Sequence, residues 1–473
     1  MYLIKSKKIS MVLLVLVIFF GFQQVHGITN DQLDNYRVRI HTAKDTTTIR
    51  ANNGYSINID GVNAKYILNQ AGENITFTKS GDKIKVTSSN GTVIGEGSEI
   101  KLLKKDNTVR YFEIKGIDNV EYAKYPDNVI VRLDSKKTTL NIINSTPLES
   151  YLKGVIPYEI GASAPLEAMK AQAVTARTLA VKRVNKHNID GYDITNTTSD
   201  QVYKGYNATY FASTHNVSKA VEQTKGVVLS YNGSLIEGIY YSNNGGQTAN
   251  DGFVWSSGSS TPYYVSKEDT YDTYLHRSSV GWGKIDYTET YTKDQLRKLI
   301  IDNSVKYPAY YKPPYSTPAF NGLSEDYNIE ILSQTNGYIT QVRLSDDQGR
   351  SYILKNYASR WFFGLRSQQY KLTRAGGLFI KSKTKTNEKD TVYVKGADGV
   401  KREVNKSDIV IKSASSKKGV EPIKYVFNGR GYGHGIGMSQ NGAMNRADAG
   451  HSYKKILEFY YDGTKTISNY GNK

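Results

Sequence analysis

Between residues 37 and 146, apolar and polar side chains alternate in short runs, as in Tyr55–Ile59, Lys83–Val86, Thr92–Ile94 and Val129–Leu133. A period of two turns one face of each run toward a core and the other toward water, which is the mark of strands. The pairs Asn53-Gly54, Asp60-Gly61 and Asn90-Gly91 punctuate the runs, and such pairs tolerate the left-handed backbone of a tight hairpin. The segment reads as β-sheet, preceded by a loose leader over 28–36.

The period changes after residue 147. Leu166, Met169, Ala173, Ala176, Ala180 and Val184 recur at spacings of three and four. That pattern predicts an amphipathic helix of about five turns, packing one face of small residues on a core. Pro165 stands at its start, with Ser163 as a candidate cap, and Asn188 to Gly191 ends it. Loops and strands rich in Asn, Gly, Ser and Tyr follow over 187–265. Residues 285–375 combine a helix at Lys293–Asn303, a proline-rich loop from Pro308 to Pro318, and further strands. The polar, lysine-rich stretch 385–420 reads as a strand pair. A short amphipathic helix is expected at Ser452–Tyr461. No repeat of solenoid period is present. The fold class is α+β: a β-rich mixed domain with a prominent helix, plus an N-terminal β region.

The first 27 residues stand apart. Lys5, Lys7 and Lys8 precede an apolar run from Met11 to Phe22, and Val25 and Gly27 supply small residues before a cleavage point. This is the pattern of an export signal. The run is short for a spanning helix, which needs roughly 20 residues; an uncleaved anchor is the alternative. An exported location, extracellular or in the cell wall, is expected.

Composition narrows the partners. The 473 residues carry a net charge of +18, which suits an anionic partner. Export makes nucleic acid an unexpected one and favours acidic wall polymers. There is no cysteine, so disulfides, thiolate metal sites and a cysteine nucleophile are excluded. The 38 tyrosines include the pairs Tyr240-Tyr241, Tyr263-Tyr264, Tyr310-Tyr311 and Tyr460-Tyr461. Their rings can stack on sugars or simply fill a β-rich framework.

Four segments can carry chemistry. Glu159 lies between Pro157 and the start of a helix, a junction where a carboxyl can be half-buried. Desolvation there would raise its pKa and suit it to general acid work; a solvated loop glutamate, or one that favours the following helix N-terminus, is the plain alternative. Thr197–Gly205 is, alone, a loop leading into a strand. Tyr240–Thr248 ends a strand in Ser242 and a Gly245-Gly246 turn, which can bring hydroxyls and backbone N–H groups close to a ligand or can be an ordinary hairpin. Gly429–Gly442 surrounds His434 and Gln440 with glycines. Its spacing fits neither a dinucleotide fingerprint nor a phosphate loop, and His434 by itself reads equally as a structural histidine.

Taken together, PLESYLKGVIPYEI and PLEAMKAQAVTARTLA, DQVYKGY, YYSNNGGQTANDGFVW, ASRWFFGLRS, GRGYGHGIGMSQNGA and SYKKILEFYYDGT resemble the SpoIID/LytB family of sporulation protein D and amidase-enhancer proteins, in the family's order and over roughly residues 110–465. The resemblance implies a mixed α/β catalytic domain and lytic transglycosylase activity on peptidoglycan glycan strands freed of stem peptides. It places Glu159 as the catalytic acid. Gln201, Tyr203, Ser242, Gly245, Gly246, Thr248, His434 and Gln440 fall in motifs expected near the substrate cleft. Some members bind zinc through Cys and His residues before the Gln-Val-Tyr segment. Here that stretch holds Ile194, Ser199 and Asp200, and His187 and His215 are too isolated to replace them, so neither metal nor cofactor is expected. The organisation expected is a signal or anchor at 1–27, a β-rich region at 28–110, and a catalytic domain at 111–465 with a subdomain near 285–420. The other reading is a non-catalytic wall-binding enhancer of a cell-wall amidase.

Overall fold

A computed structural model describes residues 28–117, 121–255, 260–279, 285–375, 391–395, 401–405, 411–413, 416–418, 423–468 and 470. The segment read as a signal or anchor lies outside them, as does much of the lysine-rich stretch. Among the described residues no helix is long and apolar enough to cross a membrane.

Two antiparallel-rich sheets form the N-terminal part. The first runs in the order Ile194–Thr195, Tyr36–Ala43, Leu140–Thr146, Asn128–Leu133, Glu99–Lys104, Tyr55–Ile59, Val62–Asn63. The second runs Tyr122–Pro126, Tyr111–Lys115, Thr46–Ala51, Glu73–Ser80, Lys83–Thr87, Val93–Gly97. Alternate residues are buried, such as Tyr36, Val38 and Ile40 on one strand and Ile75 and Phe77 on another. Asp60 (φ 47°) and Gly61 (φ 88°) turn one hairpin with the double left-handed backbone that such a pair accommodates. Strands from both sides of residue 110 pair within both sheets, and Arg50 faces Glu113 across one such pairing. The structure therefore puts no division at residue 110; the sheets continue to Thr146. Ile194–Thr195 then returns in parallel to Val38 and Arg39.

The long helix spans Leu166–Lys182 and differs from its expected amphipathic form. Every residue from Ala168 to Val181 except Lys170 is buried. The helices Asn216–Gln223, Gln440–Asp448 and Tyr453–Tyr460 and the strand Val228–Tyr231 cover its remaining faces. A helix buried all round needs small side chains so that neighbours can approach, and its alanines supply them. Pro165 holds the cap position and no side chain caps the helix; Ser163 does not. Tyr453–Tyr460 is capped by Ser452.

A second core unites Tyr287, Leu296, Ile300, Val342, Phe362 and Phe427. It joins the helix Lys293–Lys306 to a three-stranded sheet (Asp286–Thr292, Lys424–Arg430, Tyr370–Ala375) and a four-stranded one (Ser316–Thr317, Ser351–Lys355, Tyr338–Asp346, Tyr327–Thr335). Two small hairpins, Thr391–Lys395 with Lys401–Asn405 and Ile411–Ser413 with Ser416–Lys418, lie within the lysine-rich stretch. The whole is α+β and β-rich.

Gly238 shows how close the packing on the long helix is. A Cβ there would stand 2.4 Å from the Thr175 carbonyl oxygen. Backbone cannot yield as a side-chain tip can, so Gly238→Ala is expected to destabilise the fold by about 1–3 kcal/mol. A denaturant midpoint that does not move would refute this.

Candidate functional site

Glu159 sits on a single π-turn, Pro157–Gly161, between the short helix Leu148–Lys153 and the long one. Its own amide donates to the Val155 carbonyl (3.1 Å), and Gly161 closes the turn with φ +95°. The preceding helix ends at Gly154, where a Cβ would lie 2.5 Å from both the Gly205 carbonyl oxygen and Tyr203 Cε2. The absence of a side chain there lets the segment Asp200–Tyr206 lie against the turn. Two hydrogen bonds fix it: Lys204 N–H to the Gly154 carbonyl (3.1 Å) and Val202 N–H to Glu159 Oε1 (2.7 Å).

The side chain is half-buried, and burial raises its pKa above 4.5; the Val202 amide, the Tyr240 hydroxyl and the Gln440 side chain each draw it partly back. All three groups are neutral. Tyr240 is set by a relay: the Tyr151 hydroxyl donates to Gln201 Oε1 (3.1 Å), and Gln201 Nε2 donates to the Tyr240 oxygen (3.1 Å). With its lone pair so engaged, the Tyr240 hydroxyl keeps its proton for the Glu159 carboxylate. Gln440 is buried, and its Nε2 reaches no partner of good hydrogen-bond geometry among the described residues. It faces the carboxyl from the first position of the helix Gln440–Asp448.

The Tyr240 strand and the glycine-rich segment are brought together by main chain. Tyr240–Tyr241 pairs in parallel with Met438–Ser439, and the Ser242 carbonyl accepts from the Asn441 N–H (2.9 Å). Gly245 (φ +65°) and Gly246 (φ +101°) turn the chain back in a conformation that favours glycine. Beneath this loop lie two buried carboxylates. Asp269 pairs with Arg446 (2.7 Å) and accepts from Tyr460 (2.6 Å). Asp272 accepts from Ser439 Oγ (2.6 Å) and Asn441 Nδ2 (2.7 Å), while burial and the Asp269 charge push it up to about 8.

Of the residues expected at a cleft, Gln201 and Gln440 gather at Glu159. Gly245, Gly246 and Ser242 shape the neighbouring loop. Two others bond elsewhere in the interior. Tyr203 is fully buried, with its hydroxyl donating to Asn144 (2.6 Å) and its ring against Tyr151 and Tyr125. Thr248 is buried and donates to the Val265 carbonyl (2.9 Å). Both are framework residues. His434 is half-buried between Tyr241 and Trp255, its Nδ1 accepting from the Ile436 N–H (3.1 Å), and it bonds to the Tyr240 backbone instead of the carboxyl. Burial and the nearby Arg360 charge draw its pKa down to about 3. Sequence reasoning missed Tyr240 as a site residue. Alternation was the available signal: a strand that buries Tyr241 turns Tyr240 the opposite way. Nothing in the sequence marks Asp269 or Asp272.

Among the described residues no group of three or more His, Asp or Glu could hold a metal ion. His215 caps the helix Asn216–Gln223, and His187 stacks on Tyr192.

Residues 136–231 match the SpoIID family model, described as stage II sporulation protein. The chain carries a segment of that family. It is 37% identical over 319 residues to the amidase enhancer of Bacillus subtilis, covering 67% of this chain and 40% of that protein. With stage II sporulation protein D of the same organism it shares 26% over 343 residues, 70% of this chain and 77% of the relative. An uncharacterized protein of Brachyspira hyodysenteriae is 24% identical over 417 residues, 87% of this chain and 89% of the relative. The chain thus spans well under half the length of the amidase enhancer it matches.

The raised carboxyl gives a signed pH dependence. An unfolded glutamate titrates near 4.5, and folded Glu159 titrates above that. Between the two values the folded chain binds more protons than the unfolded one, so this group's contribution to stability falls as pH rises through the interval. Glu159→Gln removes the effect. The variant is expected to gain on the parent in Tm as pH rises from below 4.5 toward neutrality; parallel Tm curves would contradict the desolvation. Tyr240→Phe should raise the carboxyl's pKa further, read by carbon NMR of the glutamate carboxyls.

Proposed function

We propose that the chain is an exported lytic transglycosylase that cuts peptidoglycan glycan strands, preferring those whose stem peptides have been removed, in cell-wall remodelling or sporulation. The observation that carries this reading is one desolvated carboxyl, Glu159, surrounded by neutral hydrogen-bonding groups. A hydrolytic glycosidase ordinarily uses two carboxyl groups, the second to activate water or attack the sugar. Transglycosylation within a muramic residue needs one. Glu159 donates its proton to the bridging oxygen as the C1–O bond breaks. The residue's own 6-hydroxyl then attacks C1, and the carboxylate takes up the hydroxyl's proton. The product is a 1,6-anhydro sugar, no water is consumed, and the acid is regenerated.

Burial suits Glu159 to the first step by keeping it protonated above the ordinary glutamate range. The Val202 amide and the Tyr240 hydroxyl suit it to the second, because both stabilise the carboxylate that forms. The family match and the name of the sporulation protein D relative support a wall-related role. In this reading residues 1–27 direct export and the basic surface holds the chain on the anionic wall.

One relative carries the name amidase enhancer, which favours a second reading: a wall-binding partner that stimulates a cell-wall amidase without cutting glycan itself.

The mature chain should convert amidase-treated peptidoglycan into peptide-free anhydro-disaccharides, detected by mass spectrometry. Glu159→Gln should lower the rate roughly a hundredfold to ten-thousandfold, the usual contribution of a general acid. Equal yields from both proteins, or no anhydro product, would refute the enzyme. Stimulation of an added amidase by Glu159→Gln as strong as by the parent would then support the enhancer. Activity should decline on the alkaline limb as Glu159 loses its proton, at a pH above the ordinary glutamate value.

A further inference from the structure

The segment ASRWFFGLRS takes no part in the chemistry above, yet it holds a cation in unusual company. The other enclosed arginines have carboxylates: Arg177 pairs with Glu149 (2.6 Å) and Arg446 with Asp269 (2.7 Å). Arg360, on the short helix Ala358–Phe362, forms no ion pair among the described residues. Its Nε donates to the Leu365 carbonyl (3.2 Å), and its guanidinium lies 4.9 Å from the Tyr357 ring centre and 5.1 Å from that of Trp361. Enclosure draws its pKa down to about 10, so it remains cationic at neutral pH.

Rings spread outward from it. Trp361 stacks on Tyr310 at 5.2 Å and 20° and meets Tyr307 at 4.4 Å. Tyr432 of the glycine-rich loop, 42% exposed, lies within reach of the same charge. A half-buried cation bordered by aromatic faces, with no anion supplied by the described residues, is a setting for a ligand that brings its own carboxylate and an apolar face. The patch also connects to the proposed acid. Arg360 acts on His434, His434 bonds to the Tyr240 backbone, and the Tyr240 hydroxyl faces Glu159.

We propose that Arg360 and the rings of Trp361 and Tyr310 form a glycan subsite that reads the free lactyl carboxylate of muramic residues. This inference rests on the glycan-cutting reading of Glu159. Removal of the stem peptide exposes one carboxylate on each muramic residue; with the peptide attached, the same position is a neutral amide. Guanidinium matches a carboxylate with paired donors, which an amide cannot reciprocate. The sugar's apolar face lies on the rings beside it. Preference for peptide-free strands then follows from charge recognition at a distance from the cutting point.

The test is binding to the full mature chain carrying Glu159→Gln, in which cutting is slowed. Probes are peptide-free glycan oligosaccharides and the same oligosaccharides with their lactyl carboxylates converted to primary amides, measured by calorimetry. The amidated probe should bind roughly ten- to a hundredfold more weakly, the range of one charge-assisted hydrogen-bonded contact. Arg360→Gln in that background should abolish the difference between probes, and Arg360→Lys should restore part of it. Equal binding of the two probes by the Arg360-containing chain would overturn the proposal, and this arm needs no change at Arg360. Discrimination that survives Arg360→Gln would overturn it as well. Glycan cutting by the parent chain is scored separately: cutting without carboxylate discrimination sinks this subsite alone, and discrimination without cutting sinks the enzyme reading alone.

Discussion

Burial of the helix Leu166–Lys182 on every side is the constraint on which the rest depends. A helix in that position can display no long polar side chain unless a partner meets it within the core. Arg177 meets Glu149 and the Val221 and Val227 carbonyls. Thr178 returns its hydroxyl to the Val174 carbonyl (2.7 Å) and accepts the Leu229 N–H (2.9 Å). Tyr36, from the first strand, donates to the Ala180 carbonyl (3.1 Å), which fastens the N-terminal sheet to the same helix. Gln172 breaks the pattern: both its amide atoms are buried without a partner among the described residues, and nothing in the structure explains it. Because Glu159 lies one turn and a short loop before this helix, its position is inherited from the packing around it.

Polar groups in this protein are handled in two ways. Under the Gly245-Gly246 loop, the Asp269 charge is met by Arg446, and Asp272, pushed up by burial and by Asp269, sits among converging donors from Asn244, Ser439 and Asn441. That arrangement fixes the loop in place, since removing one partner strands the others. At Glu159 the donors are neutral, whereas a salt bridge there would hold the group ionised. The same fold therefore uses ionic locking under the loop and neutral hydrogen bonding at the Glu159 carboxyl.

How much of this was legible in the sequence depended on whether the signal was local. Alternation marked the strands, the Asp60-Gly61 pair marked a hairpin, and Ser452 marked a helix start, because each reports on its own few residues. The long helix was legible as a helix but not as one buried all round, since its coverings come from segments as distant in the chain as Tyr453–Tyr460 and alanine reads as weakly apolar in any register. Strand pairing across residue 110 was hidden for a similar reason: a sheet's membership is decided by pairing, and Tyr111–Lys115 pairs with Thr46–Ala51 across it. At the site, Glu159 stood in a motif that singled it out, while Tyr203 and Thr248 stood in motifs of the same kind and proved to be framework. A motif preserves whatever the fold needs, and only burial and partners separate a residue that holds the wall from one that faces it. Tyr240 was one of 38 tyrosines until the relay through Gln201 gave it a direction.

The surroundings of Glu159 also decide which groups could share its work. His434, in the neighbouring glycine-rich segment, has its pKa drawn down to about 3 by burial and the Arg360 charge. Tyr240 and Tyr151 have their hydroxyl pKa values raised by burial, so neither ionises near neutrality. Among these groups it is Glu159 that titrates as a carboxyl, above the ordinary glutamate value. In the glycan cutting proposed above, the proton would pass out and back through that single carboxyl, and a substrate that carries its own nucleophile would suit it.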